Sequence, residues 1–352
     1  MKISPLLPAI LLISIFLFAF ILLGCDSKAT KETIDIGTQI KQQDTNLDLA
    51  EKLVEEASIG GACSLDIAEE LVTGVLNAPA TITHTQRATV LLGRIKKSSA
   101  QTEPDREKKK KLSQEAMDIL TKFVNDSENS NYAGYYDAGF ELAELLLELG
   151  MVSSRYAGLE NNSQLKQELK SEAEKYFRLT AKYLSDAILY FRPLADNLET
   201  PTEEAEDNYV RAFNLQGINY YYWGLLYDKT EKERAKYLKE AIRTFKNLIL
   251  RFSERFQAFD AADYVGLCYF ELDDYANAKS YFRLAISLYD SIKNDPDRTG
   301  KEKEEILFEA RDIIQKGYKH LAGAYDATKE HDKAKQVIDE LSKRFPENQE
   351  NE

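Results

Sequence analysis

The chain has 352 residues, and 46 basic against 59 acidic side chains leave it a net charge of −13 at neutral pH. So acidic a chain repels phosphate backbones and lacks the basic face that nucleic-acid binding needs, which excludes nucleic acid as a partner. Length alone admits two domains, but composition is even from about residue 47 onward, at 30% charged and 43% hydrophobic overall, which fits one elongated domain.

Residues 1–24 carry a single charge, Lys2, and an apolar run from Leu6 to Leu23 that closes on Leu22-Leu23-Gly24-Cys25. A positive start, an apolar middle and small residues at the end are the order of a secretory signal peptide. The last four residues resemble the bacterial lipobox. That resemblance implies lipidation at Cys25 with palmitate-type chains, making it residue one of a mature lipoprotein anchored to a cell membrane and facing the periplasm or exterior. Removing the signal takes away Lys2 alone, so the mature 328 residues carry −14. The run of about 18 apolar residues could also just span a bilayer as an uncleaved anchor, although a plain span gives no reason to end on Gly-Cys. One acyl chain holds only marginally at ~0.8 kcal/mol per buried methylene, whereas several chains would hold lastingly. Asp26 tilts the choice of leaflet towards the inner membrane, as in enterobacterial lipoproteins, and leaves the outer membrane open.

Residues 25–46 are polar and read as a tether, whose roughly 20 residues span ~25 Å if flexible. From Leu47 the apolar spacing is helical. In Ser64-Leu65-Asp66-Ile67-Ala68-Glu69-Glu70-Leu71-Val72 a serine precedes apolar residues at three- and four-residue intervals, with acids in the first turn. No strand-like alternation competes, so the fold class is all-α. Cys63 and Cys268 lie far apart in sequence and read as two small buried residues, with a disulfide left open.

A repeat then emerges near the C-terminus. Ala262, Val265, Gly266, Tyr269, Ala278, Phe282 and Ala285 follow the spacing W-x2-L-G-x2-Y…A-x3-F in a unit from Phe259 to Lys293. Tyr318, Leu321, Ala322, Tyr325, Ala334, Ile338, Leu341 and Pro346 repeat it. The last third of the chain thus resembles the tetratricopeptide family. Upstream, Tyr220, Trp223, Gly224 and Tyr227 pair with Ala241 and Phe245; Gly139, Leu142, Ala143 and Leu146 pair with Ala173 and Phe177; Leu92 and Gly93 pair with Ala116 and Leu120. About five helix pairs result, arranged as a solenoid of degenerate helical repeats over 47–200 and tetratricopeptide-like repeats over 201–348, with a disordered tail at 349–352. The polar stretches Ser98–Lys111, Val152–Lys170 and Lys293–Glu305 read as outside loops, and the run Lys108-Lys109-Lys110-Lys111 as a solvated face.

Catalytic constellations are absent from the sequence. His84, His320 and His331 stand at no metal-ligand spacing, and His320 and His331 read as surface residues. Gly93, Gly224 and Gly266 read as packing glycines rather than a phosphate loop. No enzyme activity, metal or cofactor is expected.

What the resemblance implies is a concave groove built from the first helix of each pair. The family's groove positions correspond here to Tyr221, Leu225 and Asp228, then Asp260, Asp263, Leu267 and Phe270, and last Lys316, Lys319 and Asp326. Asp263 and Leu267 stand where chaperone-binding relatives place carboxylate-clamping residues, so a chaperone-tail receptor is not expected. The surface so drawn is aromatic and acidic, suited to a peptide or helix with apolar and basic side chains. Three functions are compatible with it: a membrane-anchored scaffold for protein–protein interaction, a small-ligand carrier resembling the helical-repeat lipoproteins associated with transporters, or self-association into a coat. An open groove favours the first and a closed apolar cavity the second.

Overall fold

The structure is a computed structural model that describes residues 36–57, 63–195 and 203–346. The signal segment, Cys25 and the tail at 349–352 lie outside the described residues. Within them the chain forms twelve α-helices and one short 3-10 turn, and no strand is present. In order they are α1 (Ile36–Ala57), α2 (Cys63–Asn77), α3 (Ile82–Thr102), α4 (Arg106–Asn125), α5 (Tyr135–Leu159), α6 (Ser163–Ala195), α7 (Glu203–Leu225), α8 (Lys232–Arg251), α9 (Phe256–Glu271), α10 (Tyr275–Asn294), α11 (Lys301–Ala327) and α12 (His331–Arg344).

Side chains that prefer a backbone amide to water start several of these helices. Thr81 accepts from the His84 amide at 3.2 Å, Asp105 from Lys108 at 2.8 Å and Asp274 from Asn277 at 3.2 Å. Each odd helix packs against the even helix that follows it, and each even helix against the next odd one. Odd helices of successive pairs also touch one another along the whole array, so they share one face of the solenoid. This makes six pairs rather than five. The additional pair is α1–α2, because helix already begins at Ile36 within the stretch read as tether; Leu47, Ala50 and Val54 pack it onto Leu65, Ala68 and Val72.

Nor are the polar insertions chiefly loops. α5 runs on to Leu159 and α6 starts at Ser163, so most of Val152–Lys170 lengthens two helices, with Ser153 and Ala157 buried between them. In the same way α3 continues to Thr102 and α4 starts at Arg106, which puts the four lysines in the first turns of a helix. Only residues 295–300 of the third insertion are loop.

A recurrent notch explains what the pairs have in common. An added Cβ on Gly93 would sit 2.6 Å from Leu120, on Gly150 2.7 Å from Phe177 and on Gly217 2.5 Å from Phe245; on Gly266 it would collide with Phe282. Four odd helices thus carry a glycine into which a fully buried side chain of the even helix projects, and the missing Cβ lets the helices approach. Two of these glycines differ from those expected. Gly139 meets nothing within 4 Å, and Gly224 faces Leu238 instead of Phe245. Notch and knob are 27, 27 and 28 residues apart in the three upstream pairs and 16 in α9–α10.

The last two pairs share a second mark. Asp273 (φ 59°) and Lys329 (φ 63°) turn the chain between helices in the left-handed region, each seven residues beyond Gly266 or its counterpart Ala322. The core is continuous across residue 200: Phe213 of α7 packs both against the cluster that contains Tyr183 and Phe191 of α6 and against the cluster around Phe245 and Phe259. Cys268 is a free, buried thiol whose pKa burial pushes up.

Candidate partner-binding groove

The face shared by the odd helices is polar and cross-linked by charge. Arg87 of α3 reaches Asp48 at 2.7 Å and Glu51 at 2.5 Å on α1. Lys97, buried on α3, lies 2.7 Å from Glu141 and 2.5 Å from Glu144 on α5. Burial alone would lower the Lys97 pKa, but the two carboxylates outweigh it and raise it; burial would likewise raise Glu141, which Lys97 and the nearby arginines hold below the usual carboxylate range. Glu144 also pairs with Arg211 of α7, whose guanidinium lies 4.6 Å over the Phe140 ring. Further along, Asn214 of α7 donates to Asp260 of α9 at 3.2 Å, and Asp263 of α9 meets His320 of α11 at 2.9 Å.

Against this face the expected groove residues divide into three groups. Tyr221 is 7% exposed and packs edge-on to Tyr222 and Tyr264; it is core, because the tight α7–α9 contact closes over it. Burial raises its pKa. Leu225, Leu267 and Phe270 are half-buried against the core clusters, Phe270 edge-on to Tyr275. Asp228, Lys316, Lys319 and Asp326 are exposed, and Asp326 pairs with His331 at 2.9 Å. Asp260 and Asp263 form a partly enclosed polar centre. Burial, with Asp263 adding repulsion against the Asn214 bond, pushes the Asp260 carboxyl up to about 6; burial also raises Asp263, against the pull of His320. His320 is therefore a half-buried partner of the buried Asp263 rather than a plain surface residue.

The concavities lie elsewhere than expected. A cavity of about 750 Å3 opens where α7, the α8–α9 turn and the residues before α11 meet, lined among others by Arg211, Arg251, Arg255, Arg298, Phe252 and Phe256. It shares Arg251 and Phe252 with a neighbour of about 270 Å3, and Asn208 and Arg211 with one of about 290 Å3 over α3 and α5. The basic residues along these three connected hollows are arginines without a single lysine. Fixed positions on first helices could not reveal them, since Arg251, Arg255 and Arg298 belong to helix ends and connections; a count of arginine against lysine in those connections was the signal available. Among the described residues no group of three or more His, Cys, Asp or Glu could hold a metal.

Helical pairs stacked one on the next define a helical-repeat array. Residues 260–291 match the tetratricopeptide repeat family, on the unit whose spacing is unbroken in the sequence. Among solved structures the chain is similar to BtubC (BKLC) from P. vanneervenii, at 14% identity over 86% of this chain and 90% of that one, with a TM-score of 0.42. It is also similar to a computationally designed self-assembling cyclic homooligomer, at 12% identity over 88% and 98% of the two chains, with a TM-score of 0.26. No curated protein matches the chain.

Proposed function

We propose that the protein is a membrane-anchored lipoprotein, held through acylated Cys25, that recruits a protein partner at the hollows on its helix-pair boundaries. The observation that carries the reading is the run of three connected hollows on helix-pair boundaries, lined by aromatic and charged side chains, since such extended surfaces are what stacked repeats offer a partner. A closed apolar chamber would favour the small-ligand carrier, but the largest of the three hollows is lined by Glu206, Asp207, Arg211, Glu254 and Arg255 among others. The lipobox resemblance of Leu22 to Cys25 supports the anchor. Two experiments test the two halves. Cys25→Ser should move the full chain from the detergent phase to the aqueous phase or leave its signal uncut; unchanged partitioning with a normal mature mass would refute the anchor. Photo-crosslinking from Asn208, a lining residue shared by two hollows, should trap one defined protein, and an absence of any adduct would refute the scaffold.

A further inference from the structure

Contacts between helix ends define one edge of the array, and the chain enters on it. Gln43 in α1 donates to the Ala78 carbonyl just past α2 at 2.6 Å, and His84 in the first turn of α3 lies 3.2 Å from Asp44 of α1. Gln86 of α3 donates to Asn129, between α4 and α5, at 3.0 Å. Tyr136 at the start of α5 stacks on Tyr190 near the end of α6 at 3.8 Å, and Arg251 at the end of α8 donates to Tyr209 of α7 at 3.1 Å. Arg298, ahead of α11, pairs with Glu254 in the α8–α9 turn. Odd helices thus begin, and even helices end, on the same edge. Because α1 begins there at Ile36, a lipid on Cys25 is eleven residues from it, at most about 40 Å along a fully extended chain.

The most exposed apolar side chains gather at that edge. Five large ones among the described residues are at least 64% exposed, and four of them stand close to it. Ile82 opens α3, and Leu250, 84% exposed, is the second-last residue of α8. Leu189 lies about two turns before the end of α6, and Phe308, 80% exposed, about two turns into α11. Leu250 is two residues, or about 200°, from the buried Leu248, and Leu189 stands the same from the buried Ala187 and Phe191, so both point away from the core. Tyr190 and Leu194 extend Leu189 along α6, both exposed. The fifth, Leu159, ends α5 at the opposite edge. Along the near edge Arg255 with Glu206 and Asp207, and Arg298 with Glu254, neutralise one another, which leaves the apolar side chains as its means of contact. Such side chains scattered singly need no explanation, whereas a gathering on the edge that receives the tether marks a surface that meets something apolar.

We infer that this edge rests on the bilayer that holds the lipid, with Ile82, Leu189, Leu250 and Phe308 entering its interface. The inference rests on the anchor at Cys25. Docking of a tethered edge is intramolecular, so a few side chains suffice once the lipid holds the edge beside the membrane. Arg192, Arg251 and Ile306, which line the hollows, neighbour these side chains in the chain, so a partner held there is met at headgroup level.

The protein's single tryptophan, Trp223, is buried near the end of α7 at the opposite edge and serves as an internal reference for the test. The full chain with its lipid is reconstituted into phosphatidylcholine vesicles brominated in their acyl chains. The parent's emission should be unquenched. The emission added in Leu250→Trp or Phe308→Trp should fall by about half or more, at low and high salt alike, because the contact is apolar rather than ionic. In the Phe308→Trp background, L189S/L250S should remove most of that quenching, with a melting temperature close to the parent's because both residues are exposed. Quenching of neither added tryptophan in a chain that floats with the vesicles would overturn the docking and leave the anchor standing. Quenching that L189S/L250S leaves untouched, or equal quenching of Trp223 in the parent, would overturn it as well. A chain that fails to float because it carries no lipid would overturn the anchor and the docking together.

Discussion

At the scale of single residues, the notch glycines separate two readings of the same helix. Gly150 has the Phe177 ring against the place of its missing Cβ, whereas Gly139, eleven residues earlier, has nothing within 4 Å. Gly150→Ala should therefore destabilise by about 1–3 kcal/mol through overpacking. Gly139→Ala should stabilise by about 0.5–1 kcal/mol, because a helix interior prefers alanine. Denaturant midpoints of the two variants check this, and equal shifts would refute the register. Asp260 gives a pH test. Its carboxyl is held up to about 6 in the fold, above its unfolded value, so the folded state binds the extra proton and gains stability as the pH falls through 6 towards the ordinary value of 3.8. Asp260→Asn should accordingly raise the melting temperature at pH 7, and the gain should shrink below pH 6 and be largely lost near 3.8. A carboxylate kept in so unfavourable a place, beside the buried Asn214 Oδ1 that has no hydrogen-bond partner among the described residues, marks a position where stability has been given up.

At the scale of helices, the left-handed residues and the long hairpin carry the tests. Lys329 is exposed and adopts φ 63° with a side chain, which costs roughly 1 kcal/mol relative to glycine. Lys329→Gly should raise stability by a few tenths to about 1 kcal/mol, since the added freedom of the unfolded chain offsets part of the gain. The α5–α6 hairpin makes a different prediction. Because α5 and α6 occupy most of 152–170, limited trypsin digestion should spare Arg155 and Lys166 and cut first near Arg298 and Lys301, where six residues are loop. Early cleavage at Lys166 would restore the loop reading.

Those two elements also show what was legible in the sequence. The all-helical class and the α9–α10 and α11–α12 pairs could be read directly, because Gly266 to Phe282 and Ala322 to Ile338 keep the 16-residue spacing of the family. Upstream the chemistry of the notch persists and the spacing does not. A helix repeats its face every 3.6 residues, so moving from Gly150 to Gly139 is three turns and from Gly217 to Gly224 two. The neighbours Leu142, Ala143 and Leu146 then look equally correct. Local periodicity identifies a face and leaves the register along it free; only the partner helix decides, and that contact is not local. The expected groove residues fared by the same logic: Asp228, Lys316, Lys319 and Asp326 are exposed, but Tyr221 lay on the seam where α7 meets α9.

At the scale of the whole molecule, α7 joins the two halves. Phe213 packs with the α5–α6 core on one side and the α8–α9 core on the other. In stacked repeats stability is close to a sum of pair terms and nearest-neighbour terms. Phe213→Ala should therefore do more than remove the 3–5 kcal/mol of a buried phenylalanine, or a part of it given that Phe213 is only half-buried. It should broaden the melting transition or split it in two, as calorimetry would show. A single sharp transition at lower temperature would mean that the halves are coupled elsewhere.

The constancy of the notch-to-knob separation has a further consequence. Values of 27, 27 and 28 in three successive pairs describe a uniform track of wide gauge that narrows to 16 at α9–α10. A hairpin can gain residues equally on both arms without moving its notch, so the two gauges join at one seam while the inner rail stays level. Units of equal gauge should then be interchangeable, as α3–α4 for α5–α6. A narrow unit set among wide ones would seat its glycine correctly and leave its neighbours' tips standing uncovered above it.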